Sequence, residues 1–185
     1  VTRSNEYRHG DIAGYIHTVA ECTRELAKSK HISLLFSPSQ SKIYMDFVPD
    51  YITKIITSLV ANAIKFTPEN GRIYITADVE GDNLKMCVAD NGCGMAREEI
   101  PYIFDVFYQG RKGRIESGSG IGLSLTKQLI ESMNGTIAIH SAENEGSVFI
   151  ITLPIKQGDK EWEHVDNELV TPPFPIATEK FLSLK

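Results

Sequence analysis

Strand-like stretches in this chain come in adjacent pairs, with a helical pattern ahead of each pair, and that order narrows the folds open to it. Residues 11–30 place Ile12, Ile16, Val19, Cys22 or Thr23, and Leu26 at steps of three and four, an amphipathic helix for which Asp11 is the N-cap. Two β-type runs follow at 32–36 and 43–48, separated by a Ser-Pro-Ser turn. Pro49 suits the first turn of a helix reaching about Phe66, with Ile52, Ile55, Ile56, Leu59, Val60 and Ala63 toward a core. Thr67-Pro68 and Asn70-Gly71 end it. Residues 72–79 and 84–89 alternate as paired strands around Gly81-Asp82-Asn83. A short helix is predicted at 96–103, then a longer one at 121–133 with Ile121, Leu125, Leu129 and Met133 on one stripe, ended by Asn134-Gly135. Strands at 136–141 and 147–153 close at Pro154. Pairing of this kind predicts an α+β protein, a mixed or antiparallel sheet with helices on one face, and argues against a doubly wound nucleotide fold.

A chain of 185 residues buries enough surface to fold as one domain without metal or disulfides. Its 19 Lys+Arg against 24 Asp+Glu give a net charge of −5, which argues against nucleic-acid binding or direct contact with a membrane surface. Cys22, Cys87 and Cys93 form no CxxC pair or zinc spacing, so a reducing, cytoplasmic setting is expected. No apolar run approaches the ~18 residues of a membrane span, and no signal-peptide pattern opens the chain. Its first residue is Val1, which predicts processing or a longer parent.

Three segments hold residues that could carry chemistry. Asn62 lies deep in a helical pattern that Asn disfavours, with Lys65 one turn later on the same face. An oxygen ligand beside a cation would suit a magnesium-bound phosphate chain. In Asp90-Asn91-Gly92-Cys93-Gly94, a carboxylate leaves an apolar strand and enters a glycine turn. Such a carboxylate in a dry pocket accepts a hydrogen bond from an exocyclic amine and so selects adenine, while the glycines let a flat ring approach the backbone. Gly118-Ser119-Gly120-Ile121-Gly122-Leu123 opens a helix whose N-terminal amides favour phosphate, without the spacing of a dinucleotide fingerprint or a P-loop. Upstream, Arg111, Lys112 and Arg114 stand among five glycines across 109–122, as a lid bringing a cation to a terminal phosphate would require.

Taken in order, SLVANAIKFTP (58–68), VADNGCGM (88–95), IFDVFYQG (103–110), GSGIGLSLTKQLIESMNG (118–135) and GSVFIITLP (146–154) resemble the ATP-binding catalytic domain of sensor histidine kinases. That branch belongs to the ATPase superfamily shared with DNA gyrase, mismatch-repair and heat-shock chaperone ATPases. The resemblance covers about residues 11–155 and implies a two-layer sandwich of three helices on a mixed, mostly antiparallel five-stranded sheet. It implies ATP and Mg²⁺ as ligands, with Asn62 holding the metal and Lys65 beside the phosphates. Asp90 would read adenine, and Gly92 and Gly94 would shape the ring pocket. Phe104 and Phe107 match an aromatic box at the base of the lid. Arg111, Lys112, Gly118, Gly120, Ile121, Gly122 and Leu123 match the lid and its helix.

Two departures refine this expectation. Gyrase-like members carry a general-base glutamate four residues before the Asn, and histidine kinases usually a second Asn; here the position is Ser58, which favours phosphoryl transfer over hydrolysis. His9, His17, His31, His140 and His164 precede Gly10, Thr18, Ile32, Ser141 and Val165, so none has the acidic successor of a phosphoacceptor. The acceptor hairpin is therefore expected elsewhere in a membrane-sensor parent, with a response-regulator receiver as the next partner. Residues 1–10 read as the hairpin's end or a linker. Residues 156–185, with Pro172, Pro173 and Pro175 and six acidic against four basic residues, read as a linker or surface arm, as in a hybrid kinase. The alternative function is a degenerate nucleotide-binding module serving protein interaction.

Overall fold

The computed structural model describes residues 6–110 and 119–155. Its elements are β1 (Arg8–Asp11), α1 (Ile12–Lys28), β2 (Ser33–Pro38), β3 (Tyr44–Phe47), α2 (Pro49–Phe66), β4 (Arg72–Glu80), β5 (Asn83–Asp90), a 3₁₀ turn (Ile100–Tyr102), α3 (Gly122–Ser132), β6 (Thr136–Ala142) and β7 (Gly146–Pro154).

Five strands form one sheet in the order β2-β4-β5-β7-β6. Only β2 and β4 run parallel, because α2 lies between them in the chain and carries it back across the sheet. Alternate residues of the central strands share one face: Ile73, Ile75 and Ala77 on β4, Leu84, Met86 and Val88 on β5, Phe149, Ile151 and Leu153 on β7, all buried. Helices α1, α2 and α3 pack on that side to give the two-layer α+β sandwich. On α2 every residue expected to face the core does so, and Ile52, Ile55, Ile56, Leu59 and Val60 are fully enclosed. On α1 the alternative resolves to Thr23, whose hydroxyl donates to Ala20 O (2.7 Å), while Cys22 is exposed.

Several local expectations change. Residues 8–11 are a strand that pairs antiparallel with β3 in a separate ribbon, from Arg8↔Phe47 to Asp11↔Tyr44. Asp11 stands at the N-cap position but makes no capping bond; its Oδ1 instead accepts from the Ile43 amide (3.0 Å). The helix expected at 96–103 is a series of three-residue turns, with amides of Glu99, Tyr102, Asp105 and Tyr108 each bonding the carbonyl three residues back. Pro101 has no N–H to extend a regular helix there.

The stripe expected on α3 is buried only in its second half, where Met133 joins the core and Leu129 packs against it. Ile121 and Leu125 are each 42% exposed, while Ser124, Thr126 and Ile130 are buried. Ser124 and Thr126 donate to Ile121 O and Gly122 O of their own helix (2.9 and 2.8 Å), so small polar side chains can face α2 without an unpaired hydroxyl. The approach is tight: a Cβ at Gly122 would lie 3.1 Å from Ser58 Oγ on α2.

Candidate functional site

The last two turns of α2 form one wall of a pocket, lined by Asn62, Ala63, Lys65 and Phe66. Lys65 Nζ lies 4.9 Å from the centroid of the Phe66 ring. The helix stops at Thr67, whose extended backbone still donates to Ala63 O (2.9 Å). Phe66 O accepts from the Cys93 amide (3.1 Å), which ties the glycine loop after β5 to the end of α2.

Asp90, the last residue of β5, forms the floor opposite Ser147 of β7. Its Oδ1 accepts from the Gly92 amide (2.8 Å). Burial raises its pKa above the ordinary carboxylate value, against the opposing pull of the Gly92 and Ser147 amides. A hydroxyl pair braces the floor: Ser141 Oγ lies 2.9 Å from Ser147 Oγ, accepts from the Met95 amide (2.9 Å) and donates to Gly146 O (3.0 Å).

The facing wall comes from Glu99, Ile103 and Tyr108–Gly110 on one side and Gly120, Gly122 and Leu123 on the other. These stretches flank residues 111–118 and are pinned together by the Phe107 amide donating to Gly120 O (2.9 Å). Gly120 has φ +67°, and a Cβ there would lie 2.7 Å from Phe107 C, so this crossing admits no side chain. Phe104 packs behind the wall, with Lys127 Nζ 5.6 Å from its ring centroid.

Of the residues expected at a site, Asn62, Lys65, Asp90, Gly94, Gly120, Gly122 and Leu123 lie around one pocket. Gly92 stands behind the lining, where a Cβ would meet Phe66 O at 2.5 Å and Asp90 Oδ1 at 2.8 Å. At Gly94 (φ +58°) a Cβ would meet Ala142 O at 1.8 Å, so both glycines are required by the protein's own packing. Phe107, 71% exposed, and Ile121 face outward rather than lining the pocket. Arg111, Lys112 and Gly118 lie outside the described residues.

Sequence reasoning missed Phe66, Met95, Glu99, Ile103, Tyr108, Ser147 and Phe149 as lining residues. Phe66, Met95, Ile103, Tyr108, Ser147 and Phe149 sit inside the quoted motifs and were legible as neighbours, whereas Glu99 lies outside them. Ser147 and Phe149 belong to a strand whose pairing with β5 only the fold reveals. Among the described residues no group of three or more His, Cys, Asp or Glu could hold a metal, and no helix is long and apolar enough to cross a membrane.

Known proteins match both the sequence and the shape. Residues 47–157 match the family of histidine kinase-, DNA gyrase B-, and HSP90-like ATPases. The chain is 29% identical over 144 residues to the sensor histidine kinase WalK of Bacillus subtilis, covering 75% of this chain and 24% of WalK. It is 32% identical over 152 residues to the sensor protein EvgS of Escherichia coli, covering 79% of this chain and 13% of EvgS. The catalytic domain of histidine kinase ThkA superposes with a TM-score of 0.73 at 26% identity, covering 82% of this chain and 99% of that one. Full-length ShkA in complex with AMPPNP gives the same TM-score and identity, covering 85% of this chain and 33% of ShkA. This chain therefore spans a quarter or less of WalK and EvgS, and nearly all of an isolated catalytic domain. It belongs to the histidine kinase-, DNA gyrase B- and HSP90-like ATPase family, as a nucleotide-binding catalytic domain of the sensor histidine kinase kind.

Proposed function

We propose that the pocket binds ATP with Mg²⁺ and presents the γ-phosphoryl group to a His on a separate helical hairpin of a longer sensor protein. The observation carrying this reading is the placement of Asp90 on the floor of a pocket whose walls hold Asn62 and Lys65 on one side and the glycine-rich start of α3 on the other. The side chains fit the ligand. Asp90, with two oxygens, keeps acceptor capacity beyond the Gly92 and Ser147 amides, for an exocyclic amine. Phe66, Met95, Ile103 and Phe149 give the pocket apolar walls that exclude water from a ring. Asn62 supplies an amide oxygen of the kind Mg²⁺ accepts, and Lys65 a cation for phosphate.

Bound ATP supplies the group to be transferred, and bound Mg²⁺ neutralises phosphate charge. The chain's own contribution is positioning: Asp90 orients the base, Lys65 offsets charge, and α3 offers its first amides. Ser58, one turn before Asn62, offers no carboxylate to activate water, which supports transfer over hydrolysis. We place the domain on the cytoplasmic side of a membrane sensor, with a response-regulator receiver as the later acceptor. ThkA has been solved in complex with the response regulator TrrA.

Calorimetry with ATP and Mg²⁺ tests the binding. Heat and a rise in melting temperature are expected in the wild type, with both lost in Asn62→Ala while its circular dichroism is unchanged. Phosphate appearing on a separately supplied hairpin His completes the test. A folded chain that takes up no nucleotide would instead support the protein-interaction alternative.

A further inference from the structure

The C-terminus of α2 has an unusual set of partners. A helix leaves its last four carbonyls without intrahelical donors, and here all four are accounted for. Ala63 O takes the Thr67 amide (2.9 Å) and Phe66 O takes the Cys93 amide (3.1 Å). The next donor along the chain would be residue 68, but Pro68 has no N–H, so Ile64 O cannot be satisfied from there. Lys30, half-buried in the turn between α1 and β2, fills this gap: its Nζ donates to Ile64 O (2.8 Å) and Lys65 O (3.2 Å). A cation at the negative end of a helix is also favoured by the macrodipole. Lys30 is itself held in place, since its carbonyl accepts from the Asn70 amide (3.3 Å); the adjacent His31 Nδ1, 2.8 Å from Glu69 Oε1, belongs to a separate exposed bridge.

We infer that Lys30, remote in sequence from every pocket residue, is a positioning residue for the nucleotide site. Through Ile64 O and Lys65 O it fixes the turn that presents Lys65 and Phe66 to the pocket. Because Phe66 O holds the Cys93 amide, the same turn anchors the loop that follows Asp90. This inference rests on the ATP reading above, and it predicts that nucleotide affinity, beyond stability alone, depends on the Lys30 ammonium.

The test measures ATP affinity by calorimetry well below the melting temperature in four proteins: wild type, Lys30→Met, Lys30→Arg and His31→Ala. Lys30→Met keeps the stem and loses the donors, and should bind ATP about tenfold more weakly. Lys30→Arg, which restores charge and donors, should recover most of that loss. His31→Ala removes the neighbouring surface bridge and should bind as the wild type does. If Lys30→Met does not fold, Lys30→Gln takes its place. Hydrogen exchange on the wild type reads the same link without substitution: the Thr67 and Cys93 amides should open together. Wild-type ATP binding with unchanged affinity in the Lys30 variant overturns the inference alone, as does an equal loss in His31→Ala or independent exchange of the two amides. A wild type that binds no ATP overturns the ATP reading and the inference with it.

Discussion

Asp90 is where the site's chemistry is most concentrated. Replacing it with Asn keeps the shape but turns one acceptor oxygen into a donor facing the ligand's amine. Asp90→Asn should therefore weaken ATP binding by about 1.5–3 kcal/mol, the scale of a hydrogen bond to a charged group, with the fold intact. The pH dependence has a definite sign. Burial raises the carboxylate's pKa in the free domain, whereas an amine donor prefers the ionised form. ATP affinity should fall as pH drops through that raised value, so the decline begins above the ordinary aspartate range. Stability runs the other way: a carboxylate whose pKa is raised by folding adds most stability below its unfolded value and loses it as pH rises through the folded one. A calorimetric pH series should show the affinity decline in wild type and a flat profile in Asp90→Asn. Gly94 raises a different issue. Sequence reading finds it beside Asp90 and assigns it to the ring, but the space beside its α-carbon is taken by Ala142 O. Gly94→Ala should cost about 3 kcal/mol in urea unfolding, from the left-handed backbone and the clash together. The position was legible in the sequence; its cause was a contact with residue 142, which no local pattern encodes.

Among the elements, legibility tracks how completely each face is apolar. Helix α2 was read correctly because its inward face is an unbroken row of Ile, Leu and Val with no competing stripe. Helix α3 offered an apolar stripe at the right period whose first half, Ile121 and Leu125, points outward. Leu129 and Met133 pack on the core, and hydroxyls bonded within the helix share the inward face. Periodicity counts apolar residues and cannot see that a buried Ser or Thr is already satisfied. The two faces should separate in a stability measurement. Ile130→Ala, at 0% exposure, should cost about 2–5 kcal/mol, whereas Leu125→Ser, at 42%, should stay within about 0.5 kcal/mol. Equal losses would return Leu125 to the core. The turns at 96–108 were missed for a related reason, since bonds repeating every third residue leave no lasting face.

At the scale of the whole molecule, the order of strand pairs was enough to predict a helix-covered mixed sheet, and the motif order enough to choose residues that the fold brings to one pocket. What pairing within the sequence could not show was contact at long range. Strand β1 is four residues long and meets β3 some 37 positions later, as in His9 Nδ1 to Asp46 Oδ1 at 2.8 Å. Too short for any period, residues 8–10 read as linker. The ribbon nonetheless covers the base of α1: the Ile12 amide donates to Ile43 O (2.8 Å), and Gly10 lies against the buried Phe47 ring. If β1 is part of the domain, deleting residues 1–11 removes its ladder with β3 and the Asp11 bond to Ile43, and leaves Met45 and Phe47 less covered. That loss should be about 2–4 kcal/mol in denaturant unfolding. No residue of the ribbon lines the pocket, so ATP affinity of the truncated chain, measured below its lowered melting temperature, should match the full chain. Unchanged stability would put the domain boundary back at residue 11. Lost affinity in a still-folded chain would mean that the ribbon bears on the site through α1, whose far end leads to Lys30.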